Sequence, residues 1–214
     1  MIEVRLRNVK NKEEIINNSI YTIENPTNYR GKWKDIFGNN NPIYLEIGMG
    51  KGKFILENAK NNPNINYIGI EKNGSVLSYA IKKIEEYKLS NLKLICFDAN
   101  KIDELFNEDI DLLYLNFSDP WPKNRHEKRR LTSNSFLEKY DKIFKKDRII
   151  EMKTDNKGLF EYSIISFVNN GYKIEDISLD LTNKIDFINI RTEYEEKYIL
   201  KNNRIYYLKV IKTC

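Results

Sequence analysis

At 214 residues the chain is long enough for one sizeable domain and would crowd two. Apolar residues make up 41% and aromatics 12%, enough for a packed core, and no apolar run approaches the roughly 18 residues of a membrane span. The net charge of +5 is weak support for a polyanionic partner, because Lys-, Asn- and Ile-rich composition alone could produce it, so the placement of the cations matters more than their sum.

The opening "MIEVRLRNVKNKEE" lacks the apolar stretch and cleavage site of a signal peptide. "NYRGKWKDIF" (28–37) follows, with Trp33 read either as a base-stacking platform or as core. "PIYLEIGMG" (42–50) is a buried-strand pattern running into glycines, and "GKFILENAKNN" (52–62) has helical spacing. "INYIGIEK" (65–72) is a second strand, and "SVLSYAIKKIEEYKL" (75–89) a helix predicted to bury Val76, Tyr79, Ala80 and Ile84. "NLKLICFDA" (91–99) is the third strand, with a short helix at "KIDELF", and "DLLYLNFSD" (111–119) is the fourth.

"SFLEKYDKIFKK" (135–146) reads as a helix opened by a Ser135-x-x-Glu138 capping box. "RIIEMKTD" (148–155) is strand five, and the next helix ends at Gly171. The tail holds two strands with no helix long enough for a parallel crossover, which predicts an antiparallel pair. Cys96 and Cys214 match no metal spacing and are expected to stay reduced, as in a cytoplasmic protein. Such alternation predicts an α/β fold: a mostly parallel sheet, helices on both faces, one domain over 1–214 with residues 1–40 as an extension. Right-handed crossovers then gather the loops that follow the parallel strands on one rim.

On that rim the strand ends carry Glu46, Glu71, Asp98, Asp119 and Asp155. One such acid is an ordinary helix cap, but five on one edge are hard to obtain from capping alone. Gly48, Gly50 and Gly52 allow a ligand close to the backbone, yet Lys53 stands where a dinucleotide loop puts its third glycine, and no phosphate-cradling P-loop is present. Glu71, about 20 residues beyond the glycines, is placed to accept the ribose hydroxyls of an adenosine. An acidic rim repels a pyrophosphate and favours a cation, which selects S-adenosylmethionine over NAD.

After Asp119 come Pro120-Trp121-Pro122 and then Lys123, Arg125, His126, Lys128, Arg129 and Arg130, a run suited to phosphates. Arg5, Arg7, Lys10 and Lys12 are candidates to extend this basic surface. "SDPW" is similar to the Asn/Asp-Pro-Pro-aromatic motif of amino-group methyltransferases, but Trp121 replaces the second proline, which disfavours attack by an exocyclic amine.

Taken in order, "LEIGMGKGKF", "IGIEK", "FSDPWPKNRHEKRRL", "MKTDN" and "RTEYEEKY" resemble the bacterial tRNA (guanine-N7)-methyltransferase family, and "NPTNYRGKW" fits it too. The resemblance implies a Rossmann-like methyltransferase sheet of seven strands with an antiparallel last strand. It implies that Glu46, the glycine loop, Glu71, Asp98 and Asp119 hold S-adenosylmethionine. It further implies that Lys123, Asp155 and Thr192-Glu193-Tyr194-Glu195 contact a guanosine of the tRNA variable loop, and that Arg125 to Arg130 lie against RNA. Asp119 is the expected catalytic residue, with the division of labour among Asp119, Asp155 and Glu195 open. An amino-group methyltransferase and a non-catalytic RNA-binding protein are the alternatives, and the sequence leaves monomer or homodimer undecided.

Overall fold

The computed structural model describes residues 9–185, 187–201 and 203–214; Arg5 and Arg7 fall outside them. Helices α1 (Lys12–Asn18) and α2 (Trp33–Phe37) precede strand β1 (Ile43–Ile47). Then follow α3 (Lys53–Asn61), β2 (Asn66–Glu71), α4 (Gly74–Ile84), β3 (Leu92–Cys96), α5 (Ile102–Leu105) and β4 (Leu112–Asn116). The chain closes with α6 (Asn134–Ile143), β5 (Arg148–Thr154), α7 (Lys157–Asn169), β6 (Lys173–Ser178), α8 (Glu193–Ile199) and β7 (Tyr206–Lys212).

The seven strands form one sheet in the order β3-β2-β1-β4-β5-β7-β6. Strands β1 to β5 pair parallel, and β7 runs antiparallel to both β5 and β6, as the tail pattern predicts. The strand order reverses between β1 and β4, and the loops after those two strands border a crevice there. Among the described residues no helix is long and apolar enough to cross a membrane.

Alternation along the central strands divides the core. Ile43, Leu45 and Ile47 of β1, with Leu113 and Leu115 of β4, face a cluster built with α5, α6 and α7. Tyr44, Tyr67, Leu92 and Leu94 face the other side, under α3 and α4. Both faces are therefore covered, which explains why these strands read as near-continuous apolar runs. Trp33 belongs to the first cluster: it is fully buried and its Nε1 donates to Leu105 O at 2.9 Å. Its other reading, a stacking platform, is thereby closed.

Two local expectations are corrected. Helix α4 buries Leu77, Ala80, Ile81 and Ile84, whereas Val76 is half-buried and Tyr79 exposed. The predicted face is thus rotated, because the helix packs on α1 and on β2–β3 while Tyr79 looks towards Lys51 of the glycine loop. Helix α6 starts at Asn134 with Ser133 as its N-cap, so the Ser135–Glu138 box does not form. A preceding turn, in which Ser133 N donates to Arg130 O at 2.9 Å, sets the start before Ser135. Ser135 Oγ lies 3.0 Å from Ser133 Oγ instead.

Candidate active site

The loop leaving β1 wraps onto β2: Gly48 N and Met49 N both donate to Ile70 O, at 2.8 and 3.1 Å. Gly48, Gly50 and Gly52 take φ of 76°, 56° and 79°, a left-handed path that other residues adopt only with strain. Gly52 is doubly constrained, since a Cβ there would lie 2.9 Å from Ile84 Cδ1 of α4. This turn opens the wall of the crevice and brings backbone N–H groups to its floor.

Glu46, next to the end of β1, is buried, and its Oε1 accepts from Asn116 Nδ2 at 2.9 Å. Oε2 is equally buried and has no partner among the described residues. Desolvation pushes the carboxyl up to about 7, against the lowering effects of Asn116 and Lys153, and Glu193 and Glu71 raise it further. A buried acceptor without a donor is costly unless a ligand supplies one. An ammonium would satisfy Oε2 and stabilise the ionised form, so this residue fits the cationic adenosine ligand expected from the sequence.

Glu71 closes β2 and accepts from Gly50 N at 3.2 Å and Asn73 N at 2.8 Å, which fixes both oxygens at the glycine turn. Each oxygen carries further lone pairs that can accept from hydroxyl donors. Asp98 follows β3, caps the turn at Ala99–Lys101 and pairs with Lys72 at 2.6 Å. The Lys72 bond holds its carboxyl down at about 2. Lys12 of α1 approaches this β2–β3 side of the sheet, beside Gly74, so it does not adjoin the basic run after β4.

At the end of β4 the chain turns sharply. Phe117 and Trp121 take φ of 52° and 42°, the left-handed region, with exposed Asp119 between them. Phe117 N donates to Lys153 O at 2.8 Å, which fastens the entry of the turn to β5. A 3₁₀ turn, Asn124–Arg129, and its N-cap Lys123 carry the cations: Lys123, Arg125, Lys128 and Arg129 are exposed and His126 is half-buried against Trp121. Arg130 differs from them, because its guanidinium turns inward onto the carbonyls of Pro120 and Trp121.

The third wall comes from the end of β5 and from α8. Thr192 caps α8 in a full capping box with Glu195. Glu195 is completely buried and also engages Lys153 and Asn189. Its carboxylate faces the protein interior, whereas Asp155 lies half-buried at the crevice. Tyr194 Oη donates to Asp155 Oδ2 at 3.3 Å, and the Tyr194 ring stacks on Tyr198 and packs against Phe117, with centroids at 4.7 and 5.0 Å. Burial pushes the Tyr194 hydroxyl far up, so it stays a donor to Asp155. Glu193 points to the cofactor side, accepting from Lys53 N at 3.3 Å and from Lys83 Nζ at 2.8 Å.

Most of the sequence-predicted residues fall in two groups at the carboxyl ends of β1 to β5, whereas Glu195 and Arg130 turn inward. Glu46, Gly48, Gly50, Gly52, Glu71 and Asp98 line the β1–β3 half with Glu193 alongside, while Asp119, Lys123, Asp155, Thr192 and Tyr194 border the β4–β5 half. Three participants were not predicted: Asn116, Lys83 and above all Lys153. Lys153 sits inside β5 with its ammonium donating to Asn189 Oδ1 (2.6 Å), Ile190 O (2.8 Å) and Glu195 Oε2 (3.2 Å). Its signal was available in "EMKTD", where a cation interrupts an otherwise buried strand. Among the described residues no group of three or more His, Cys, Asp or Glu side chains could hold a metal ion.

A family model described as "Putative methyltransferase" matches residues 40–208. A tRNA (guanine-N(7)-)-methyltransferase of Geobacillus sp. is 51% identical, over 97% of this chain and 95% of its own. One from Lachnoclostridium phytofermentans is 49% identical, over 96% and 97%. The fold is similar to that of a 16S rRNA (adenine(1408)-N(1))-methyltransferase variant from Catenulisporales acidiphilia solved with its cosubstrate SAM. That likeness has a TM-score of 0.61 at 12% identity and covers 90% of this chain and 93% of the other.

Proposed function

The chain belongs to the tRNA (guanine-N(7)-)-methyltransferase family, and on that premise we propose how its crevice transfers a methyl group from S-adenosylmethionine to N7 of a guanosine in the tRNA variable loop. The observation that carries this reading is the division of charge across the crevice. Glu46 offers a buried, unpartnered carboxylate oxygen on the inside, and the exposed cations from Lys123 to Arg129 form the lip beside Asp119.

The methyl donor supplies an electrophilic methyl on a sulfonium. Glu46 holds its ammonium, Glu71 its ribose, and the left-handed glycine turn lets its carbon chain approach the backbone. Asp98 marks the adenine side. Guanine N7 has an in-plane lone pair and no proton, so no side chain has to act as a base. What the chain must provide is alignment and a negative charge facing the purine as positive charge arrives on it. Asp119 meets both needs from the end of β4, anchoring guanine through its N–H donors. Asp155, oriented by Tyr194, shares those donors, and Lys123 contacts the nucleotide at the lip.

Glu195 supports this arrangement from within by fixing Thr192 and Lys153. The lip binds the tRNA backbone by counterion release, independent of sequence. The target base leaves its stack to reach the crevice, at a modest cost if it is loosely held. A single methyltransferase domain working in the cytoplasm, where tRNA is found, completes the proposal.

The test incubates the purified protein with labelled S-adenosylmethionine and unmodified tRNA and then maps the modified base. Label at N7 of a variable-loop guanosine is the expected result. Label on an exocyclic amine, or no transfer despite cofactor binding, would overturn the proposal.

A further inference from the structure

We propose that Arg130 is a positioning residue for Asp119: its guanidinium clamps the strained Asp119-Pro120-Trp121 turn from inside and does not contact phosphate. The inference rests on Asp119 being the residue that meets guanine. Nε of Arg130 donates to Pro120 O at 3.2 Å and to Trp121 O at 3.3 Å, and Nη2 donates to Trp121 O at 3.0 Å. The plane of the guanidinium rests on Tyr162 of α7, with Cζ 4.2 Å from the ring centroid. Tyr162 Oη in turn donates to Glu127 Oε1 at 2.9 Å, which ties the platform to the basic turn.

The turn needs such a clamp. Phe117 and Trp121 both occupy the left-handed region at φ of 52° and 42°, where a side chain is strained and persists only if the surroundings over-determine it. The entry is fixed by the bond from Phe117 N to Lys153 O. The exit is fixed by Arg130, because Pro122 has no N–H and so cannot close a hydrogen-bonded turn. Pro120 restricts Asp119 itself to extended conformations. With both ends pinned, an exposed carboxylate gains a defined direction. A planar fork of donors suits two neighbouring carbonyls, whereas an ammonium on a flexible stem does not. The neighbouring Arg125 and Lys128 are exposed and remain available to RNA, and Arg129, also exposed, lies over the Trp121 ring with Cζ 4.8 Å from its centroid.

Arg130→Lys separates the two roles, since it keeps the charge and loses the fork. The clamp predicts that the single-turnover rate at saturating tRNA and cofactor falls about 10–100-fold. It also predicts that tRNA affinity, its salt slope and cofactor affinity stay those of the wild type. In an Asp119→Asn background the same substitution should cost little more, because both act through one carboxylate. Added guanidinium should partly restore Arg130→Ala. Tyr162→Leu, which removes the platform and leaves Arg130, should lower the rate in the same direction by less, and it carries the test if Arg130 variants do not fold.

A wild-type rate in Arg130→Lys, or a flattened salt slope in it, would overturn the clamp. So would a full additional loss in the Asp119→Asn background. If the wild-type protein itself does not methylate tRNA, or Asp119→Asn transfers normally, the functional reading fails rather than the clamp alone.

Discussion

The ammonium of Lys153 lies 3.2 Å from Oε2 of Glu195, with side chains only 6% and 0% exposed. All three ammonium donors are used, on Glu195, Asn189 and Ile190 O, and the ammonium nitrogen lies 4.9 Å from the centroid of the Phe54 ring. Burial pulls the Lys153 ammonium down from its ordinary range, while Glu195 and Glu46 oppose that shift. This pair joins β5 to α8 and, through Asn189 and Ile190, to the segment before it. Removing one partner strands a buried charge. Lys153→Ala should therefore cost roughly 3–5 kcal/mol of stability in urea unfolding, and Lys153→Met with Glu195→Leu should recover part of it. A loss under about 1 kcal/mol in the single variant would mean the pair is solvated.

Glu46 gives a pH prediction. Its folded carboxyl titrates at about 7, above the ordinary carboxylate range, because burial disfavours the charge. Between those values the folded chain keeps a proton that the unfolded chain releases, so this group's stabilisation is present at acid pH and lost as pH rises through about 7. Ammonium binding requires the ionised form. Affinity for S-adenosylmethionine should fall up to about tenfold per pH unit below that point, with about one proton released per molecule bound there. Calorimetry in buffers of different ionisation enthalpy measures both. Glu46→Gln should bind more weakly and show neither effect; proton-independent binding by the wild type would contradict the assignment.

The exposed lip makes a salt prediction. Neutralising Arg125, Lys128 and Arg129 together should flatten the dependence of log Kd for tRNA on log salt by roughly 0.7–0.9 per lost phosphate contact. Titrations over a range of potassium chloride check this. An unchanged slope would make the run a solvated surface.

The mostly parallel sheet with its antiparallel tail and the acidic strand ends were legible because each is a local pattern: apolar runs, connection lengths, and one carboxylate per strand end. The acids were found with their places but not their partners. Glu195 looked like a substrate contact from "RTEYEEKY", and only the packing of α8 shows it buried against a lysine 42 positions earlier. Lys153 was visible as a cation within a buried strand, but the partner that explains it lies 42 positions further on. The misplaced face of α4 came from tertiary contacts that periodicity does not contain, and the displaced start of α6 from a local turn ahead of it. The inward turn of Arg130 was invisible beside five neighbouring basic residues, Lys123, Arg125, His126, Lys128 and Arg129, because direction is a property of the strained backbone before it.

The most direct test of the whole account is the single-turnover methyl-transfer rate of Asp119→Asn, measured beside its affinity for tRNA. If a carboxylate at the end of β4 faces the charge growing on guanine, removing its charge while keeping its shape should slow transfer about 10²–10³-fold. Affinity for tRNA should stay close to that of the wild type. Near-normal transfer in Asp119→Asn, or a loss explained wholly by weaker tRNA binding, would contradict it.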